Sequence, residues 1–115
     1  MPEKYLPMTR LDQLKQLLDD SPDDSFLLFA VAKEYEKLGD DQQALHWFEQ
    51  LHNHDPAYVG LYYHLGKLHE RLGQHARAFH TYSEGMEVAR QQGDQHALSE
   101  LAGARLALGD EEDFA

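Results

Sequence analysis

The stretch Gly60-Leu-Tyr-Tyr-His-Leu-Gly-Lys-Leu-His-Glu-Arg-Leu-Gly-Gln74 decides how this chain is read. His64, His69 and Glu70 invite a search for a metal or an acid/base pair, whereas the glycines and apolar residues fall at regular places. A zinc-protease motif needs H-E-x-x-H, which sets two imidazoles one turn apart on a helix. Here His69-Glu70 is followed by Arg71, Leu72 and Gly73, so the second ligand is missing. His64 and His69 stand five residues apart, a spacing that separates them by about 140° around a helix. Tyr62, Leu65 and Gly66 instead fall at the spacing of a helical packing pattern.

That helical spacing runs through nearly the whole chain. Leu11, Leu14, Leu17 and Leu18 mark one face, Leu28, Val31, Ala32 and Tyr35 another, and no segment sustains strand alternation. Pro22 and Pro56 fall between helical runs, where a missing N–H does little harm. Gly39, Gly73 and Gly109 each follow a leucine, as expected of glycine in a left-handed conformation just past a helix end. Asp40 and Asp110 then stand where a helix N-cap is wanted.

These marks repeat. Pro22 and Pro56 are 34 residues apart, as are Gly39 and Gly73, Ala44 and Ala78, Phe48 and Tyr82, Leu28 and Tyr62, and Ala32 and Gly66. A 34-residue period of two helices marks a helical repeat array. The predicted helices are 9–20, 24–38, 41–54, 58–72, 75–92 and 94–108.

The pattern resembles the tetratricopeptide repeat. Leu28, Val31, Ala32, Tyr35, Gly39, Ala44, Phe48 and Pro56 match its first full unit, with Leu51 where a small residue is usual. Tyr62, Leu65, Gly66, Gly73, Ala78, Tyr82 and Gly85 match the second. That unit departs at His69, where an aromatic is usual, and at Arg90, where proline is usual, so its second helix is expected to run on to about Gln92. The resemblance implies an all-α, right-handed solenoid in one domain over 1–115: a half-repeat at 9–22, repeats at 23–57 and 58–92, a half-repeat at 94–109, and an acidic tail at 110–115. The chain is similar to the small stand-alone bacterial proteins of this family.

Composition excludes several functions. The chain has 115 residues, no cysteine, and a formal charge of −11 from 21 acidic and 10 basic residues. Without cysteine there is no disulfide, thiolate metal site or thiol nucleophile. The negative field repels a phosphate backbone, which argues against nucleic acid. No apolar run approaches membrane-spanning length and the first ten residues have no signal-peptide core, so a cytoplasmic location is expected. None of Ser21, Ser25, Ser83 and Ser99 stands in a nucleophile elbow. No catalytic residue, metal site or cofactor is expected, and the chain is read as a non-enzyme.

The few cations are more informative. In the family the inner, concave face is lined mainly by the first helix of each unit. Lys33 and Lys37 lie one turn apart on the first such helix, and Lys67 and Arg71 recur 34 residues later. Phe29 and Tyr63 precede them by one turn, and His64 adjoins Tyr63. One reading is that Glu36 and Glu70 merely partner these cations on their own helices. The other is a groove in which Phe29, Lys33, Lys37, Tyr63, His64, Lys67 and Arg71 hold an acidic segment of a protein or peptide partner. Family members that clamp a terminal carboxylate also use asparagine from several units, and no asparagine stands on these faces.

Two further expectations concern the ends. The final helix (Leu98, Leu101, Leu108) lacks its usual companion, so the alternative to an adaptor is self-association of a monomer into a weak homodimer through the half-repeats. The tail DEEDFA either remains disordered or docks through its charge and Phe114 into the groove.

Overall fold

A computed structural model describes residues 7–114 of the protein. Among these are six α-helices, no strand, and a short 3-10 turn. They are α1 (Arg10–Asp20), α2 (Ser25–Lys37), α3 (Asp41–His54), α4 (Gly60–Arg71), α5 (His75–Gln92) and α6 (Gln95–Leu108), with the turn at Glu111–Phe114. Each helix lies within two residues of its predicted bounds at both ends. Local chemistry explains the agreement. Thr9 and Asp12 form a reciprocal capping box before α1, and Asp24, Asp40 and Asp94 accept from main-chain N–H groups in the first turns of α2, α3 and α6. Gly39 and Gly73 take φ of 79° and 75°, the left-handed conformation that frees the chain from a helix at little cost.

The described chain gathers into two compact units, one ending at Asp55 and one beginning at Pro56. In the first, α1 packs on α2 and α2 on α3. Leu14 and Leu18 meet a core of Leu28, Val31, Ala32, Tyr35, Ala44, Phe48 and Leu51. Ala32 and Ala44 are completely buried, small residues that let the two axes approach while Phe48 fills the space beside them. Ser25 Oγ donates to Asp55 Oδ2 at 2.6 Å, tying the start of α2 to the end of α3.

In the second unit α4 packs on α5, and both contact α6. Its core holds Leu61, Tyr62, Leu65, Leu68, Ala78, Phe79, Tyr82, Met86 and Leu101. No side chain caps the start of α4. The preceding loop is held otherwise: Tyr62 Oη donates to the carbonyl of Pro56, and Gln92 Nε2 donates to the carbonyl of Ala57 at 2.6 Å. Gln92 is available because α5 runs 18 residues, with Arg90 where a proline would have ended the helix earlier.

Candidate functional site

The stripe read from the sequence lies on α2 in the first unit and on α4 in the second. On α4, Lys67 is half-exposed, its Nζ 5.6 Å from the centroid of the Tyr63 ring and 3.6 Å from Glu70 Oε2. The ring quadrupole attracts the ammonium, and the carboxylate one turn on shares it. His64 is also half-exposed and meets Tyr63 edge-on, ring centroids 5.7 Å apart. Arg71 is exposed in the last turn of the helix, where a cation complements the helix dipole.

Behind this surface stands a contact that sequence reasoning missed. Tyr82, fully buried on α5, donates its hydroxyl to Glu70 Oε2. Glu70 therefore joins the packed interior to the exposed Lys67. Burial, then the Glu70 bond and charge, push the Tyr82 phenol far above the ordinary tyrosine range. The ring lies directly over Gly66, where no side chain intervenes.

On α2 the equivalent residues behave differently. Lys33 Nζ is 3.9 Å from Glu36 Oε1 and half-exposed, and Lys37 is exposed. Phe29, expected to be an exposed aromatic, is only partly exposed. It leans edge-to-face on Phe48, centroids 6.1 Å apart, so much of its ring serves the core. Phe48 occupies the place of Tyr82 and has no hydroxyl to offer Glu36. A further cation–aromatic pair, unread in the sequence, joins α1 to α2: Lys15 Nζ lies 5.3 Å from the Tyr35 centroid. Arg10 Nε reaches Glu34 at 3.4 Å beside it. The partnering of lysine by glutamate is thus real in both units, and the two readings of the stripe are not exclusive.

His69, the residue that suggested chemistry, is buried, with Nδ1 3.0 Å from Gln74 Oε1. It takes a packing place and satisfies its polar atom locally. Among the described residues no three His, Cys, Asp or Glu side chains come together as a metal site. No described helix is long and apolar enough to cross a membrane.

The end of the chain departs from both sequence readings. Asp110 does not cap a helix with its side chain; its N–H donates to Asp113 Oδ2 at 2.8 Å, closing a turn. Phe114 then stacks on Phe79 of α5, centroids 4.9 Å apart at 23°. Gly109 is not left-handed like Gly39 but extended, at φ 154° and ψ −175°.

Comparison with known proteins agrees with this architecture. The family model described as tetratricopeptide repeat matches residues 59–92, which are α4, α5 and the turn between them. A tetratricopeptide repeat domain protein from Salinibacter ruber is 49% identical in its crystal structure, covering 74% of this chain and 94% of that one with a TM-score of 0.71. Its solution structure gives a TM-score of 0.73 at 49% identity, over 76% of this chain and 88% of that one. A Bordetella parapertussis protein of known solution structure is 25% identical, with a TM-score of 0.77 over 89% of each chain. A TPR repeat-containing protein from Pseudomonas aeruginosa is 28% identical over 91 residues, 79% of this chain and 87% of the relative.

Proposed function

The chain belongs to the tetratricopeptide repeat family, whose repeats mediate protein–protein interaction, and from that premise we propose that it is a cytoplasmic adaptor without chemistry of its own. Its contact surface is the α2 face of Phe29, Lys33 and Lys37 and the α4 face of Tyr63, His64, Lys67 and Arg71, each offered to an acidic segment of a partner protein. The observation that carries this reading is Lys67, half-exposed over the Tyr63 ring. An aromatic platform holding a cation at the surface gives a carboxylate both a charge and an apolar neighbour.

The ion pairs to Glu36 and Glu70 do not oppose the proposal. Such pairs within a helix are worth about 0.2–0.5 kcal/mol, so a partner carboxylate competes for the cation at small cost. The net charge of −11 acts mainly at long range. At physiological salt the screening length is about 8 Å, so the local cations outweigh distant carboxylates once contact is made.

The test is an affinity pull-down from the source cells, comparing the natural chain with the Lys33→Glu/Lys67→Glu double variant. Partners with acidic segments are expected to be lost, and their affinity for the natural chain to fall as salt rises. An unchanged set of partners refutes the assignment.

A further inference from the structure

A different surface of the second unit already carries a ligand, supplied by the chain itself. Phe114 stacks on Phe79, and the Arg105 guanidinium stands 5.3 Å from the centroid of the Phe79 ring. Arg105 is fixed by donating Nη1–H to Ser83 Oγ at 3.0 Å, and Ser83 Oγ in turn donates to the Phe79 carbonyl. Beside the stacked rings a recess of about 300 Å³ remains, lined by Phe79, Ala102, Arg105 and Leu106 together with residues 109–111. Leu106 is 74% exposed, the most exposed large apolar residue among those described.

What holds 110–114 there is slight. Among the described residues the contacts include one ring stack and a turn closed on itself, by Asp113 Oδ2 on the Asp110 N–H and by the Asp113 N–H on the Asp110 carbonyl. Against them, Glu111, Glu112 and Asp113 crowd three carboxylates just past the C-terminal end of α6. That end of a helix carries partial negative charge and disfavours anions. Gly109 adds a geometric condition: its φ and ψ lie in a region open essentially to glycine. A Cβ there would also come within 2.9 Å of both Asp113 Oδ2 and Phe114 Cε2.

We propose that the surface formed by Phe79, Ala102, Arg105 and Leu106 is a docking site for a partner segment that places an aromatic side chain among carboxylates, and that residues 110–114 are a built-in competitor which such a segment displaces. The chemistry of the occupant is read from the occupant present: a phenyl ring on Phe79, acidic neighbours, and a guanidinium against the same ring. This site shares no residue with the lysine faces of α2 and α4, so either can fail without the other.

The probe is a fluorescein-labelled peptide of sequence GDEEDFA, titrated by anisotropy against the full chain and its variants. Phe114→Ala empties the site and Gly109→Ala dislodges the turn with Phe114 intact. Both are expected to bind the peptide about tenfold more tightly than the natural chain, as when a competitor holds the site for nine-tenths of the time. Adding Arg105→Ala to Phe114→Ala, or replacing the phenylalanine of the peptide by alanine, should abolish the gain. Equal affinity for the natural chain and both variants overturns the proposal, as does binding indifferent to Arg105. So does a Phe114→Ala chain that dimerises in light scattering and binds no peptide, since the face would then belong to a second copy.

Discussion

Gly66→Ala tests the packing that sets Glu70 and Lys67 in place. A Cβ built on Gly66 would meet three atoms of the Tyr82 ring, with Cδ1 at 2.6 Å and Cζ at 2.7 Å, closer than real Cβ contacts come. The ring has nowhere to yield: Tyr82 is completely buried and its hydroxyl is bound to Glu70. Overpacking of this kind costs about 1–3 kcal/mol. A ring pushed aside also weakens a hydrogen bond to a charged group, worth about 1.5–3 kcal/mol. Alanine returns about 1 kcal/mol through its greater helix propensity. The expected net loss is about 2–4 kcal/mol, or roughly 8–16 °C in Tm at the scale for a chain of this length. Thermal unfolding followed by far-UV circular dichroism measures it. Gly103→Ala is the control, because Gly103 lies in α6 with nothing within 4 Å of an added Cβ; it should be neutral or stabilising. If Gly66→Ala behaves like Gly103→Ala, the close approach of Tyr82 to α4 is wrong.

Tyr82→Phe keeps the ring and removes the hydroxyl, so it should cost about 1.5–3 kcal/mol in urea unfolding and leave the helix content unchanged. The same residue sets an alkaline limit: its folded phenol titrates above the ordinary value, so its contribution is complete below about pH 10 and is lost as pH rises further. Tm measured from pH 8 to 12 should therefore fall less steeply above about pH 10 in Tyr82→Phe, by one proton's worth of slope. Gly85→Ala sets a Cβ 2.8 Å from Tyr62 Cγ and 3.0 Å from Leu101 Cδ1, and a loss of about 1–3 kcal/mol is expected by the same urea assay. Asp24→Ala removes the acceptor of the Leu27 N–H at the start of α2 and should cost about 1 kcal/mol.

Helix boundaries were legible in the sequence because they are decided locally. Asp40 caps within three residues of itself, and Gly39 and Gly73 end a helix by their own backbone freedom. The overrun of α5 was legible for the same reason, since one missing proline at Arg90 is a local fact. Phe29 shows where such reasoning stops. The repeat period places it beside Lys33, but whether its ring points outwards or leans on Phe48 depends on the rotation of α2 against α3. The Tyr82–Glu70 bond has the same origin: two residues 12 apart on different helices, joined only because Gly66 lets α5 come close enough. The turn at 110–114 lies further from reach, because its acidic residues carry no helical period and the aromatic that stacks it has its target, Phe79, 35 residues earlier.

These cases also explain why the two faces of the stripe are unequal although their residues repeat. Glu70 is held from behind by a buried hydroxyl on Oε2, the same oxygen that faces Lys67, and the Tyr63 ring lies beside that ammonium at the surface. On α2, Phe48 offers no hydroxyl to the glutamate in the equivalent place, and Phe29 meets Phe48 edge to face. The α4 face is thus the more preorganised of the two, and preorganised cations lose less on binding. Lys67→Met should therefore weaken an acidic partner more than Lys33→Met does. Isothermal titration of the two single variants against one partner decides it, and equal losses would mean that the Tyr82–Glu70 bond adds nothing.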